Sequence, residues 1–228
     1  MRKQNSVRLI QMVQLAILAA LVVLLQLLGG FIHIGPTSVS LVLIPIALGG
    51  MLFGPAAGAL LGFVFGFITL MAGVTGTDPF TSILFNAQPF ATSFICLFKA
   101  TAAGFMGGLI YKLLKKINLW LATFAAAAIV PVTNTGLFIL LGLIMVRKTL
   151  ETNFVDENGI VYFLVIVCAG FNFLAEFGLN LILTPALFRL TQLLNRSLVS
   201  RQKSGKAAPS DTPDDTASSG DSGDTSNE

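Results

Sequence analysis

Residues 54–66 read Gly54-Pro55-Ala56-Ala57-Gly58-Ala59-Leu60-Leu61-Gly62-Phe63-Val64-Phe65-Gly66, an apolar run with a glycine at every fourth position. Residues four apart share one face of a helix, so this spacing predicts a groove along which a second helix approaches closely. In water the run would be a poor helix, because each interior glycine costs about 1 kcal/mol relative to alanine. In lipid the backbone must satisfy its own hydrogen bonds, and small residues at this spacing are typical of helix–helix contacts. The run therefore indicates a membrane protein, with packing as the role of the glycines.

The composition of the whole chain supports this interpretation. Of the 228 residues, 54% are hydrophobic and 11% are charged, whereas soluble domains carry about 25% charged residues. A net charge of +3 could suggest a nucleic-acid partner, but the basic residues cluster between the apolar runs. That distribution is a signal of membrane topology and does not form a nucleic-acid-binding stripe. Cys96 and Cys168 both fall inside predicted spans and indicate nothing about the redox compartment.

Six apolar stretches predict an all-α polytopic protein, a bundle of six transmembrane helices over residues 1–203. The stretches are 9–28, 39–53, 55–73, 90–111, 119–146 and 160–187. Pro45 is predicted to kink the second span. Residues 74–89 and 147–159 are predicted to be loops, the first mixed enough in polarity to fold over a cavity. Residues 204–228 carry no large apolar side chain and are predicted to be a disordered acidic cytoplasmic tail.

The distribution of positive charge predicts the orientation of the bundle. Alternating the six spans places 11 of the 14 lysine and arginine residues on the side that carries both termini. The positive-inside rule therefore puts the N- and C-termini in the cytoplasm. Tyr111, Trp120 and Tyr162 fall at predicted span ends, where interfacial aromatic residues are common.

The motifs of several enzyme classes are missing from the sequence. It contains no G-x-x-x-x-G-K-[ST] loop, so the chain cannot hydrolyse ATP by that route. His33 is the single histidine, which supplies neither the paired ligands of a zinc protease nor a base beside a serine at membrane depth. We predict a protein that is not an enzyme and needs no cofactor or metal. An intramembrane enzyme and a structural membrane oligomer remain as alternatives of a different class.

Two ionisable residues, Lys99 and Glu176, lie inside predicted spans, where charge is expensive and marks functional candidates. Each lies about 20 Å along a helix from a basic residue at the cytoplasmic end of its span, so the two can be level. Two interpretations stay open. Lys99 and Glu176 neutralise one another, or Lys99 binds an anionic substrate while Glu176 orders the site.

Further polar residues fall at the same level. Asn172 and Glu176 share a face of the sixth helix, and Thr133 and Asn134 interrupt the fifth span. Asn86 lies in the predicted loop above them. An apolar pocket with a few convergent polar groups is typical of a small-molecule site, whereas hydrogen bonding between helices is the alternative use of these side chains.

The chain resembles the substrate-binding S components of energy-coupling factor (ECF) vitamin transporters over about residues 8–190. The resemblance rests on the six short spans, on Ala16 and Ala20 as the family's A-x-x-x-A in the first helix, on the Gly54–Gly66 run, on Thr133-Asn134-Thr135 and on the polar sixth helix. It implies a prokaryotic plasma-membrane protein that captures a vitamin outside the cell. It also implies docking, through Ala16 and Ala20, on a membrane coupling subunit joined to two ATPases.

Residues 31–66 look most similar to pantothenate-type members of the family. Pantothenate is a monocarboxylate with hydroxyl and amide groups, which one cation with Asn and Thr partners would suit. The resemblance therefore implies Lys99, Asn134 and Asn172 as the main substrate contacts. Where many relatives carry an arginine, this chain has Lys99, which lacks the bidentate fork of arginine. Riboflavin, folate and a thiamine precursor are the alternative substrates.

Overall fold

The computed structural model of the protein describes residues 2–29, 33–34, 37–38, 41–154, 159–162 and 171–206. Its helices are α1 (Arg2–Gly29), α2 (Leu43–Phe53), α3 (Pro55–Thr75), α4 (Pro79–Ala87), α5 (Pro89–Leu114), α6 (Leu119–Met145), α7 (Arg147–Phe154), α8 (Gly159–Tyr162) and α9 (Phe171–Lys206). Between α1 and α2, β1 (His33–Ile34) pairs antiparallel with β2 (Thr37–Ser38). Apart from this short pairing, the described fold is all-α.

Four of the described helices are long and apolar enough to cross a membrane. They span Leu9–Gly29, Pro55–Thr75, Pro89–Leu114 and Leu119–Met145, and Leu43–Phe53 is a shorter apolar helix. The prediction of an all-α polytopic membrane protein is confirmed. The predicted sixth span includes residues 163–170, which lie outside the described part of the chain. The count of six spans and the cytoplasmic termini stay predictions.

The glycine face of α3 packs against α5. Gly58 lies against the backbone of Gly104, and Gly62 lies against the backbone of Ala100. A Cβ atom added at either α3 position would overlap the carbonyl group opposite. Cys96, whose backbone lies against Gly66, extends the four-residue spacing on α5, so two small-residue stripes face each other. This is the close approach that the sequence predicts, and it makes α3 and α5 the most extensively packed helix pair.

The connection between α2 and α3 is a single residue. Gly54 has φ 97°, a left-handed conformation that favours glycine, and Pro55 begins α3 with a φ already suited to a helix. Pro45 lies in the first turn of α2, which begins at Leu43. The missing N–H of a proline removes no intrahelical bond there, so the predicted kink was wrong.

The predicted loop over residues 74–89 is largely helical. The α3 helix continues to Thr75, and α4 begins with Asp78 at its N-cap and Pro79 in its first turn. The Oγ1 of Thr81 donates to Oδ2 of Asp78 at 2.6 Å, which closes that turn. Phe80 and Leu84, four residues apart, are buried on one face of α4. The N-cap residue, the proline in the first turn and the amphipathic pattern together form a helix here. The scattered polar residues had predicted a loop.

The second predicted loop, residues 147–159, also contains a helix, α7. Leu150 on α7 is fully buried, together with Val146 at the end of α6. These two residues form one apolar cluster with Phe80, Leu84 and Ile95, to which Phe138 and Phe154 add at its edge. We call α4 and α7 the cap, because they cover the ends of α5 and α6 that carry this cluster.

The predicted boundary of the disordered tail falls within α9, which continues to Lys206. The helical geometry therefore extends slightly past residue 203, the predicted end of the bundle. Residues 207–228 lie outside the described part of the chain, and with them most of the predicted tail.

Candidate functional site

Lys99 is half-buried on α5 and lies beside an aromatic ring of α6. Its Nζ atom is 4.9 Å from the centroid of the Phe138 ring. A cation over the face of an aromatic ring is attracted by the ring quadrupole, which partly compensates the ammonium for lost water. Phe138 was not among the predicted site residues, because nothing in the sequence separates it from the other 18 phenylalanines.

Asn134 lies one helical turn from Phe138, on the same face of α6. Its side chain is 6% exposed, and its Oδ1 atom has no hydrogen-bond partner among the described residues. Thr133, the adjacent predicted residue, is half-buried. The ammonium group of Lys99 on α5 thus contacts the face of α6 that also carries the amide oxygen of Asn134.

Glu176 is 2% exposed on α9, which packs against α6 and α2. Asn180, one turn on, donates from Nδ2 to the backbone oxygen of Glu176 at 2.9 Å. Thr184 continues the stripe and donates from Oγ1 to the backbone oxygen of Asn180 at 2.9 Å. Glu176, Asn180 and Thr184 thus form a buried polar stripe along α9. Asn172 belongs to this helix by its backbone, and its side chain lies outside the described part of the structure.

The predicted alternatives for Lys99 were an ion pair with Glu176 and a substrate contact. An ion pair joins Arg147 to Glu151 at 2.8 Å on the exposed surface of α7. It does not involve Lys99, whose contact is with the Phe138 ring. Both interpretations of Lys99, an ion pair with Glu176 and a substrate contact, stay predictions.

Asn86 faces outward from the cap. It is exposed on α4, and its Nδ2 atom donates to Oγ of Ser82 at 3.4 Å within the same helix. Its neighbour in sequence, Gln88, points across the cap instead and donates from Nε2 to Oγ1 of Thr149 at 3.2 Å. The structure brings Gln88, and not Asn86, to the polar contacts at the N-terminal end of α5.

The predicted docking residues Ala16 and Ala20 are both exposed on α1. They lie in a stripe of exposed apolar residues that includes Met12, Ile17 and Leu24. The C-terminal end of α1 is hydrogen-bonded to α3, since Nε2 of Gln26 donates to Oγ1 of Thr69 at 3.5 Å. This small, apolar and accessible face is suited to contact with another membrane helix.

A cavity of about 500 Å³ opens between the N-terminal half of α1 and the turn that joins α2 to α3. Its walls are mainly apolar and come from Met12, Leu15, Leu52, Phe53 and Leu60, with Gln11 and two alanines. It lies at the end of α1 that carries the basic N-terminal segment. It is therefore separate from the cation and amide on α5 and α6. The described residues contain no group of three histidine, cysteine, aspartate or glutamate side chains placed to hold a metal ion.

The fold defines a polytopic helical membrane protein. A family model described as the substrate-specific component of ECF transporters matches residues 10–188, more than half of the chain. The protein belongs to this family. None of the curated protein sequences compared with it matches at a significant level.

Membership of this family defines the general role of the chain. It is a multi-pass membrane subunit that binds a small-molecule substrate for a transporter, and it is not an enzyme. It works in association with the other subunits of an ECF transporter. The predicted resemblance to S components is therefore confirmed at the level of the family.

Proposed function

We propose that this chain is the vitamin-binding subunit of an ATP-driven importer in a prokaryotic plasma membrane, with pantothenate as its substrate. In this proposal the ammonium group of Lys99 binds the vitamin carboxylate. The observation that carries the proposal is the position of Lys99 in a membrane-spanning helix with its Nζ over the Phe138 ring.

The relative strengths of two interactions support an anionic ligand. A cation over an aromatic ring gains about 0.5–2 kcal/mol. A carboxylate about 4 Å from the same cation gains about 4 kcal/mol at the effective dielectric constant of a protein surface. The Phe138 ring thus stabilises the ammonium group without competing strongly against an incoming carboxylate. Lys99 is therefore suited to bind an anionic ligand reversibly.

Asn134 is the second group in the proposed site. Its Oδ1 atom is buried without a hydrogen-bond partner among the described residues, so it is suited to accept from a hydroxyl or amide N–H of the ligand. Thr133 beside it on α6, with Asn172 and Glu176 from α9, completes the proposed set of residues. Asn86, exposed on the cap, belongs to the site only as a residue at its entrance.

Transport in this proposal is powered by partners. Ala16 and Ala20 dock on the membrane coupling subunit, which is joined to two ATPase subunits. This division of labour is supported by the exposure of both alanines and by the lack of a phosphate-binding loop in the sequence. Riboflavin, folate and a thiamine precursor are the alternative substrates within the same family.

A panel of vitamins, added to the purified chain in detergent without ATP or partner subunits, tests the proposal. At 100 times its dissociation constant, a ligand of the folded state adds about 2.7 kcal/mol to the free energy of unfolding. We expect pantothenate to raise the melting temperature and riboflavin, folate and thiamine to leave it unchanged. Stabilisation by another vitamin of the panel would refute pantothenate as the substrate and support the vitamin-binding role. If no vitamin of the panel stabilises the chain, both the substrate and the vitamin-binding role are refuted.

A further inference from the structure

Thr92, near the start of α5, has a buried hydroxyl group with an unusual arrangement. The residue is 2% exposed, and its Oγ1 atom has no hydrogen-bond partner among the described residues. Six other helical threonines donate from Oγ1 to the backbone oxygen four residues earlier: Thr69, Thr75, Thr101, Thr123, Thr152 and Thr184. The equivalent oxygen for Thr92 belongs to Gln88, and the backbone N–H of Thr92 bonds to it at 3.0 Å. The hydroxyl of Thr92 does not use it.

The position of Thr92 relates it to the candidate site. Thr92, Ile95 and Lys99 follow one another at helical spacing, so they share one face of α5, and Gln88 is the N-cap residue before this helix. Gln88 bonds to Thr149 of the cap, and Lys99 at the C-terminal end of this face lies over Phe138. Between them, Ile95 belongs to the apolar cluster under the cap. Thr92 therefore lies under the cap, about 10 Å along the helix axis from Lys99.

An orphaned hydroxyl at such a place needs an explanation. Most buried polar side chains in folded proteins have a hydrogen-bond partner, because burying an unpaired one lowers stability. In a helix, a threonine can avoid that loss by bonding to the preceding turn, as the six others do. The fold therefore retains at Thr92 a group that weakens it.

We propose that the hydroxyl of Thr92 is a second substrate-binding group, which pairs with a hydroxyl or amide of the ligand about 10 Å from the carboxylate held by Lys99. The inference rests on the proposed function, and it adds a requirement on the substrate. The substrate is an elongated monoanion with a hydrogen-bonding group at the end remote from its charge. A compact carboxylate would reach one of the two groups and not both.

The proposal predicts opposite effects on stability and on binding. Thr92→Val keeps the shape of the side chain and removes the hydroxyl. The ligand-free melting temperature should stay the same or rise by about 2–4 °C, since an unpaired buried polar group is lost. The affinity for the vitamin should fall about tenfold, the effect of losing one good hydrogen bond. Thr92→Ser, which keeps a hydroxyl, should bind within about threefold of the unaltered chain.

Thr123→Val is the matched control, because Thr123 is equally buried and its hydroxyl is bonded to the oxygen of Leu119 at 2.9 Å. It should lower the melting temperature and leave the affinity unchanged. Both quantities are measured on the full chain in detergent, by thermal melting and by calorimetric titration with the panel vitamin that binds the unaltered chain. An affinity of Thr92→Val equal to that of the unaltered chain would overturn the proposal. So would a drop in its melting temperature that Thr92→Ser restores, since the hydroxyl would then be structural.

Lys99→Met separates this inference from the proposed function. If Lys99→Met loses the vitamin and Thr92→Val retains it, the role of Thr92 is refuted and the proposed function stands. If both variants retain it, the roles of Lys99 and Thr92 are both refuted, and the vitamin-binding role of the chain stands. A vitamin analogue without its distal hydroxyl gives an independent check, since it should bind the unaltered chain and Thr92→Val equally well. A difference between those two affinities would contradict the pairing.

Discussion

Single residues show both what the sequence reveals about the site and what it conceals. Lys99 was predicted as a site residue from the sequence, because a charge inside a membrane helix is rare and expensive. Its partner Phe138 and the orphaned Thr92 were missed, because phenylalanine and threonine are ordinary residues in such helices. The deciding property is a matter of geometry: a ring beside a cation, or a buried hydroxyl without a hydrogen-bond partner.

Asn134 carries a prediction that distinguishes its two interpretations. As a ligand group, Asn134→Leu should weaken vitamin binding about tenfold while the ligand-free chain melts at the same or a higher temperature. As a bond between helices, it should cost about 0.6–2 kcal/mol of stability and leave the affinity unchanged. We expect the first result. Calorimetric titration and thermal melting of the same detergent preparation measure both quantities.

At the scale of elements, long apolar runs were predicted well and short amphipathic ones were not. The spans predicted at 90–111 and 119–146 correspond to α5 (Pro89–Leu114) and α6 (Leu119–Met145). The cap helices were taken for loops, because half of their residues are polar. A helix of eight or nine residues is stabilised mainly by packing against the rest of the protein. The sequence alone does not identify the surface against which it packs.

The α3–α5 contact makes a prediction about stability. The sequence indicated a close approach and left its partner open, since many helices of this chain carry small residues. A Cβ at Gly62 would overlap the carbonyl group of Ala100. Gly62→Ala should therefore destabilise the fold by about 1–3 kcal/mol, the usual cost of overpacking. Gly136→Ala is the control, because nothing lies within 4 Å of a Cβ built there. A melting temperature as high for Gly62→Ala as for Gly136→Ala would contradict the observed packing.

At the scale of the whole molecule, the residues proposed for binding and those proposed for docking occupy different surfaces. The proposed site lies between α5, α6 and α9, while Ala16 and Ala20 are exposed on α1 at the edge of the bundle. The sequence predicted this division through its resemblance to a family, because neither residue type implies a partner by itself. The structure adds that both alanines are accessible, as a docking face requires.

The separation of these surfaces predicts a variant that binds and does not transport. Replacing Ala16 and Ala20 by leucine adds bulk where another helix must approach closely. We expect vitamin affinity within about twofold of the unaltered chain and loss of most uptake by the assembled transporter in vesicles. Ala186→Leu, at an exposed alanine on α9, should affect neither quantity. Full uptake by the double variant would refute docking through this face.

The central claim is that Lys99 binds the carboxylate of the substrate. The most direct test titrates the unaltered chain and Lys99→Met with pantothenate and with the neutral alcohol in which its carboxylate is replaced by a hydroxymethyl group. We predict that Lys99→Met binds pantothenate at least about tenfold more weakly and binds the alcohol as the unaltered chain does. An equal loss for both ligands, or no loss for pantothenate, would contradict the assignment.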